Sequence, residues 1–155
     1  MLRRRPLNDD APMNENWNLH CPEALTEIQR ATGAAGFRMA SDQLTGSLLR
    51  VLAASKPAGA LLELGTGTGM GASWILSGMD AASTLDTVGR DESVVGIARQ
   101  FLGHDSRVRF HVSDGATFMA RWTRAENSTV SQCIGTTARF ARHASRLVHR
   151  ARACN

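Results

Sequence analysis

The residues best equipped for chemistry in this chain of 155 residues lie in one run, Glu63-Leu64-Gly65-Thr66-Gly67-Thr68-Gly69. Glycine lacks the Cβ that bars other residues from left-handed backbone and holds a ligand at a distance. Glycines at alternate positions therefore let a chain turn tightly under a bound molecule. Apolar Ala60-Leu61-Leu62 comes before the loop, and Gly71 to Gly78 reads as a helix after it. The first N–H groups of that helix would point at whatever the glycines admit. Glu63 narrows what that can be, because a carboxylate ahead of the loop repels phosphate and suits a ligand bearing an ammonium group. The dinucleotide spacing G-x-G-x-x-G fails from Gly65, since position 70 is Met. It is met from Gly67 only if Ala72 stands for the third glycine.

These residues need a strand to carry them and helices to cover it. Pro22 opens a helix over residues 22–31, with Glu23 and Glu27 near its positive end. Ser41-Asp42 caps a second, in which Leu44, Leu48, Leu49 and Leu52 recur at helical spacing. Residues 60–64 form a strand, 71–78 a helix and 84–88 a weaker strand. Asp91 caps a helix with Val94, Ile97, Ala98 and Phe101 on one face and Gly103 as its stop. Residues 107–112 alternate, with Val108, Phe110 and Val112 on one side and Arg107, Arg109 and His111 on the other, which is the pattern of an edge strand. Asp114-Gly115 opens a helical stretch to about Trp122. The alternation predicts an α/β fold, a parallel sheet with right-handed crossovers and helices on both faces. Trp74 and Met79 read as core, and His20, His104 and His111 as solvated surface.

The acid, one residue and then G-x-G-x-G, set between a strand and a helix, resemble motif I of class I S-adenosylmethionine-dependent methyltransferases. Ser55-Lys56-Pro57 before the strand, Thr45-Gly46 in the preceding helix, and residues 91–102 are similar to the catechol-type O-methyltransferase branch. The likeness runs over about residues 24–118 and implies the N-terminal half of a Rossmann-like methyltransferase fold. It implies S-adenosyl-L-methionine as cofactor and a small-molecule hydroxyl as methyl acceptor. Glu63, Gly65, Thr66, Gly67 and Gly69 would hold the methionine part. Asp114 would stand beside the adenine amine, and Met39 and Ser41, with Ala40 between them, would line the pocket. The family's ribose-binding acid falls here on Gly89, so either Asp91, two residues on, reaches the ribose or the bidentate contact is missing. The resemblance supplies no catalytic residue and no metal ligand in this chain.

The charge is divided. Residues 1–118 hold 10 Arg and one Lys against 13 acids, whereas residues 119–155 hold seven Arg against Glu126 alone, so the net charge of +4 belongs to a tail. Residues 1–20 read as a flexible lead-in, 21–118 as a partial cofactor-binding domain, and 119–155 as an irregular or helical basic tail outside the family. The tail offers no apolar strand, which would leave the first strand with an open edge. Its composition suggests out-of-frame translation of a chain cut short after the third strand. Two other functions are expected to fit less well, a dinucleotide-binding oxidoreductase and a basic nucleic-acid-binding protein. No apolar run is long enough to cross a membrane. Cys133, His143, His149 and Cys154 match no zinc spacing. An odd count of widely spaced cysteines, Cys21, Cys133 and Cys154, with no secretion signal, suggests the cytoplasm.

Overall fold

The computed structural model describes residues 20–125 and 132–135. The order is α1 (Leu25–Ala34), α2 (Gln43–Ala54), β1 (Ala60–Leu64), α3 (Met70–Gly78), β2 (Thr84–Gly89), α4 (Glu92–Leu102), β3 (Val108–Val112), α5 (Gly115–Ala125) and β4 (Gln132–Gly135). All strand pairings are parallel, and the spatial order is β3-β2-β1-β4. On one sheet face Leu61 and Leu85 pack with Ile28, Leu49, Trp74 and Ile75 from α1, α2 and α3. On the other, Leu62, Leu64 and Val88 pack with Met119 and Phe118 of α5. The expected α/β architecture, with helices on both faces and β3 at the edge, is borne out.

β4 corrects the expectation that no strand follows. Leu61–Leu64 pair with Gln132–Gly135. A search for apolar runs passes over Gln132-Cys133-Ile134-Gly135. The ladder is made by backbone groups, however, and the unpaired edge of β1 accepts any extended segment within reach. α5 also continues to Ala125, three residues past the end expected at about Trp122.

Two helices present faces other than those their apolar spacing predicts. In α2 the buried residues are Gly46, Leu49 and Ala53, while Leu44, Leu48 and Val51 are 57%, 58% and 65% exposed. Close approach decides this. A Cβ on Gly46 would lie 2.3 Å from the Trp74 ring, so the α2 backbone rests directly on the indole. α4 likewise buries Val95, Ala98 and Leu102 and leaves Val94, Ile97 and Phe101 half-buried. Ala98 faces Gly69, and Val95 faces Gly89, each across a gap that a Cβ would fill.

β3 is tied to β2 by a charged cluster. Arg109 donates two hydrogen bonds to Asp86, at 2.9 and 2.7 Å, and His111 Nε2 lies 2.7 Å from the same carboxylate. His111 is therefore not free in solvent. Its ring also stands 4.5 Å from that of Phe118, which links α5 to the edge strand.

Gly46→Ala should lower stability by about 1–3 kcal/mol, because the added methyl forces α2 off Trp74. A urea unfolding midpoint unchanged from the parent chain would show that the contact does not set the helix.

Candidate functional site

The glycine loop lies at the carboxyl end of β1, beside the end of β2. Gly65, Gly67 and Gly69 have φ of 107°, 52° and 94°, values that favour glycine. The N–H groups of Gly65 and Thr66 both donate to the Val88 carbonyl, at 2.8 and 3.1 Å, which fixes the start of the loop to β2. Gly65 is exposed and Gly67 half-buried, so these two positions offer backbone to a ligand. Gly69 is buried, and its missing side chain lets α4 pack closely.

The two threonines of the loop point inward. Thr66 and Thr68 are 2% and 1% exposed. Thr32 donates to the Ile28 carbonyl at 2.6 Å and lies 2.7 Å from the Thr68 hydroxyl. A hydroxyl carries one proton, so Thr68 donates to Thr32 and pins α1 to the loop. Thr66 Oγ1 lies 2.8 Å from Thr87 Oγ1, and Thr87 donates to Glu63 Oε2 at 2.6 Å. By the same count, Thr66 donates to Thr87.

Glu63 is wholly buried, and its Oε1 has no hydrogen-bond partner among the described residues. That oxygen lies 2.4 Å from where a Cβ on Gly71 would stand, so it sits under the first turn of α3. Loss of water pushes the carboxyl up to about 8, against which the Thr87 hydrogen bond pulls down. The positive end of α3 also favours the ionised form.

The remaining expected residues lie around this loop with clear local duties. Asp91 caps α4, with Oδ1 accepting from the N–H groups of Ser93 and Val94 and from the Ser93 hydroxyl. The Ser93 hydroxyl and the backbone bonds hold its carboxyl below the ordinary value. Asp114 caps α5 through the N–H groups of Ala116 and Thr117. Those bonds, the Thr117 bond first, hold its carboxyl low as well. Arg90 Nε stands 3.8 Å from Asp114 Oδ2, bridging the ends of β2 and β3. Gly89 has no room for the family's acid, since a Cβ there would meet Val95 at 2.4 Å. Met39 is 76% exposed and Ser41 half-buried.

Three residues at the loop lay outside the sequence reading. The Phe37 ring stands over Gly67, 3.1 Å from a Cβ built there. Nothing in the spacing of residues signals that contact. Thr32 is equally silent in sequence. Thr87 was findable, because it stands opposite Glu63 in the β1–β2 register. Among the described residues no cluster of His, Cys, Asp and Glu could hold a metal ion, and no helix is long and apolar enough to cross a membrane.

The arrangement is shared with known structures. The O-methyltransferase TomG from Streptomyces achromogenes, solved in complex with SAM, superposes with a TM-score of 0.66 at 23% identity, covering 74% of this chain and 53% of that one. The Bacillus cereus O-methyltransferase in complex with SAH gives 0.58 at 22%, covering 68% and 49%. The SAH-bound methyltransferase PaMTH1 from Podospora anserina gives 0.58 at 22%, covering 74% and 56%. These likenesses define the class: the chain has the Rossmann-like methyltransferase fold. It spans about half the length of each of these structures. No family model and no curated protein matches it.

A Glu63 that is neutral when folded makes stability depend on pH. Its contribution is complete below about 4.5 and is lost as pH rises through about 8. Glu63→Gln keeps an oxygen to accept from Thr87 and has no proton to lose. The stability difference between parent and variant, from urea unfolding at several pH values, should therefore shift against the parent as pH rises across that window. A difference that is flat with pH would mean Glu63 is ionised throughout.

Proposed function

We propose that this chain is the cofactor-binding part of an S-adenosylmethionine-dependent O-methyltransferase whose acceptor is a small-molecule hydroxyl. The observation that carries the reading is Glu63 beneath the first turn of α3. A loop that bound pyrophosphate would leave that helix end free for the anion. Here an internal acid occupies the space behind it, and the loop threonines turn inward rather than toward a phosphate. The exposed backbone at Gly65 and Gly67 suits the methionine portion of the cofactor.

When bound, the cofactor would supply a methyl group on a sulfonium, which an acceptor oxygen would attack in line as the carbon–sulfur bond breaks and the neutral thioether leaves. This chain's share is to bind and orient. Gly65 and Gly67 would hold the amino-acid end, Asp91 the ribose and Asp114 the adenine amine, with Met39 and Ser41 at the pocket wall. Gly89 stands in place of the acid, so either Asp91 makes the charge-assisted contact to the sugar or that contact is missing, which would cost about 1.5–3 kcal/mol of binding. The reducing cytoplasm suits a chain whose Cys21 is exposed and free.

Calorimetric titration with S-adenosylhomocysteine tests this. Binding should be measurable, unaffected by a nicotinamide dinucleotide, and weakened about tenfold or more by Gly67→Ala, which strains a left-handed position and meets Phe37. Absence of heat from folded protein, or displacement by the dinucleotide, would overturn the proposal.

A further inference from the structure

We propose that Phe37 is a positioning residue of the glycine loop: the turn that ends α1 sets its ring against Gly67, and the ring holds the stretch of backbone on which the amino-acid end of the cofactor rests. This rests on the methyltransferase reading and adds to it a residue from outside the loop.

Gly67 is the least secured member of the loop. Gly65 and Thr66 donate their N–H groups to the Val88 carbonyl, and Gly69 donates to the Thr66 carbonyl at 3.0 Å. The side chains of Thr66 and Thr68 are bound to Thr87 and Thr32. Gly67 lies between them with no side chain, a φ of 52° and no backbone hydrogen bond among the described residues. By itself a glycine visits either sign of φ about equally well. The N–H and carbonyl of Gly67 are the pair that the carboxylate and ammonium of an amino acid could meet. They help most when already aimed, because ordering them on binding lowers the affinity.

The Phe37 ring supplies that hold. Its Cε1 and Cζ atoms lie 3.1 and 3.3 Å from where a Cβ on Gly67 would stand, so the far edge of the ring takes the place of a side chain there. The ring is itself fixed by the end of α1. Gly36, left-handed at a φ of 64°, donates its N–H to the Gly33 carbonyl at 3.1 Å. The N–H of Phe37 donates to the Thr32 carbonyl, also at 3.1 Å. Together these two bonds form the paired turn that closes many helices on a glycine. The hydroxyl of the same Thr32 meets Thr68. One helix end therefore grips two successive loop residues, Gly67 through a ring and Thr68 through a hydroxyl. Further along the connection, Ala40 packs on the core and Asp42 caps α2, so the segment is tied at both ends. Phe37 is half-buried and belongs to neither core cluster. Its ring serves the loop rather than the interior.

The test compares two ligands on the full chain, S-adenosylhomocysteine by calorimetry and 5′-methylthioadenosine, which lacks the amino-acid end, by ligand-detected NMR. Phe37→Ala should weaken the first about tenfold and the second by about twofold at most. Gly36→Val strains the turn without touching the loop, since nothing lies within 4 Å of a Cβ there. It should give the same pattern, whereas Gly36→Asn, which accepts left-handed backbone, should bind as the parent does. This pair keeps the question open to refutation if Phe37→Ala folds poorly in urea unfolding. Undiminished binding of S-adenosylhomocysteine by Phe37→Ala, or equal loss of both ligands, would overturn the proposal and leave the methyltransferase reading standing. So would a Gly36→Val chain that binds like Gly36→Asn. A folded parent chain that binds neither ligand would overturn both.

Discussion

A carboxyl group held without water beneath the first turn of α3 is the constraint around which the site is arranged. Glu63 can reach that place only because position 71 has no side chain, and it keeps one hydrogen bond there because Thr87 stands beside it in the sheet. A buried acid is costly unless it is neutral or partnered. The apolar core imposes that cost, and the hydroxyl on β2 and the helix end above limit it. The loop inherits its shape from the same contacts, since Thr66 is anchored to Thr87 and its backbone to Val88.

Much of the scaffold was legible in the sequence. The strand that runs into the loop, the Asp42 and Asp91 caps and the edge character of β3 follow from local chemistry that tertiary structure did not override. What escaped were matters of close approach. Leucines at helical spacing pointed to one face of α2, yet a single glycine resting on Trp74 turned another face inward. In α4, contacts with Gly69 and Gly89 moved the buried face round by one residue. Apolar spacing measures how much a helix wants to be covered. It does not measure how near a neighbour's backbone can come.

The site was legible in kind and less so in detail. Glycine, acid and strand declared a ligand loop, but exposure sorts its members. Gly65 and Gly67 present backbone outward, while Glu63, Thr66 and Thr68 serve the interior. Asp91 and Asp114 act visibly as helix caps, a duty that also fixes them at the ends of β2 and β3. Phe37 reaches Gly67 from the α1–α2 connection, and no periodicity can announce a contact made by an irregular segment. β4 escapes for a related reason, because the pairing of a strand is made by backbone groups and leaves little trace in side-chain composition.

The strand pairings of β1 differ in how far the chain must travel to make them. Its partner β2 returns after one helix, whereas β4 returns only after β2, α4, β3 and α5 have been laid down. Closing the longer loop costs more entropy, and four residues are a short ladder to repay it. The two edges of β1 should therefore form at different moments: the β2 side with the loop and Glu63 already in place, the β4 side as a late addition. A nascent chain emerging from the ribosome would thus complete its candidate ligand loop before its sheet, with the buried acid already sealed between the first two strands.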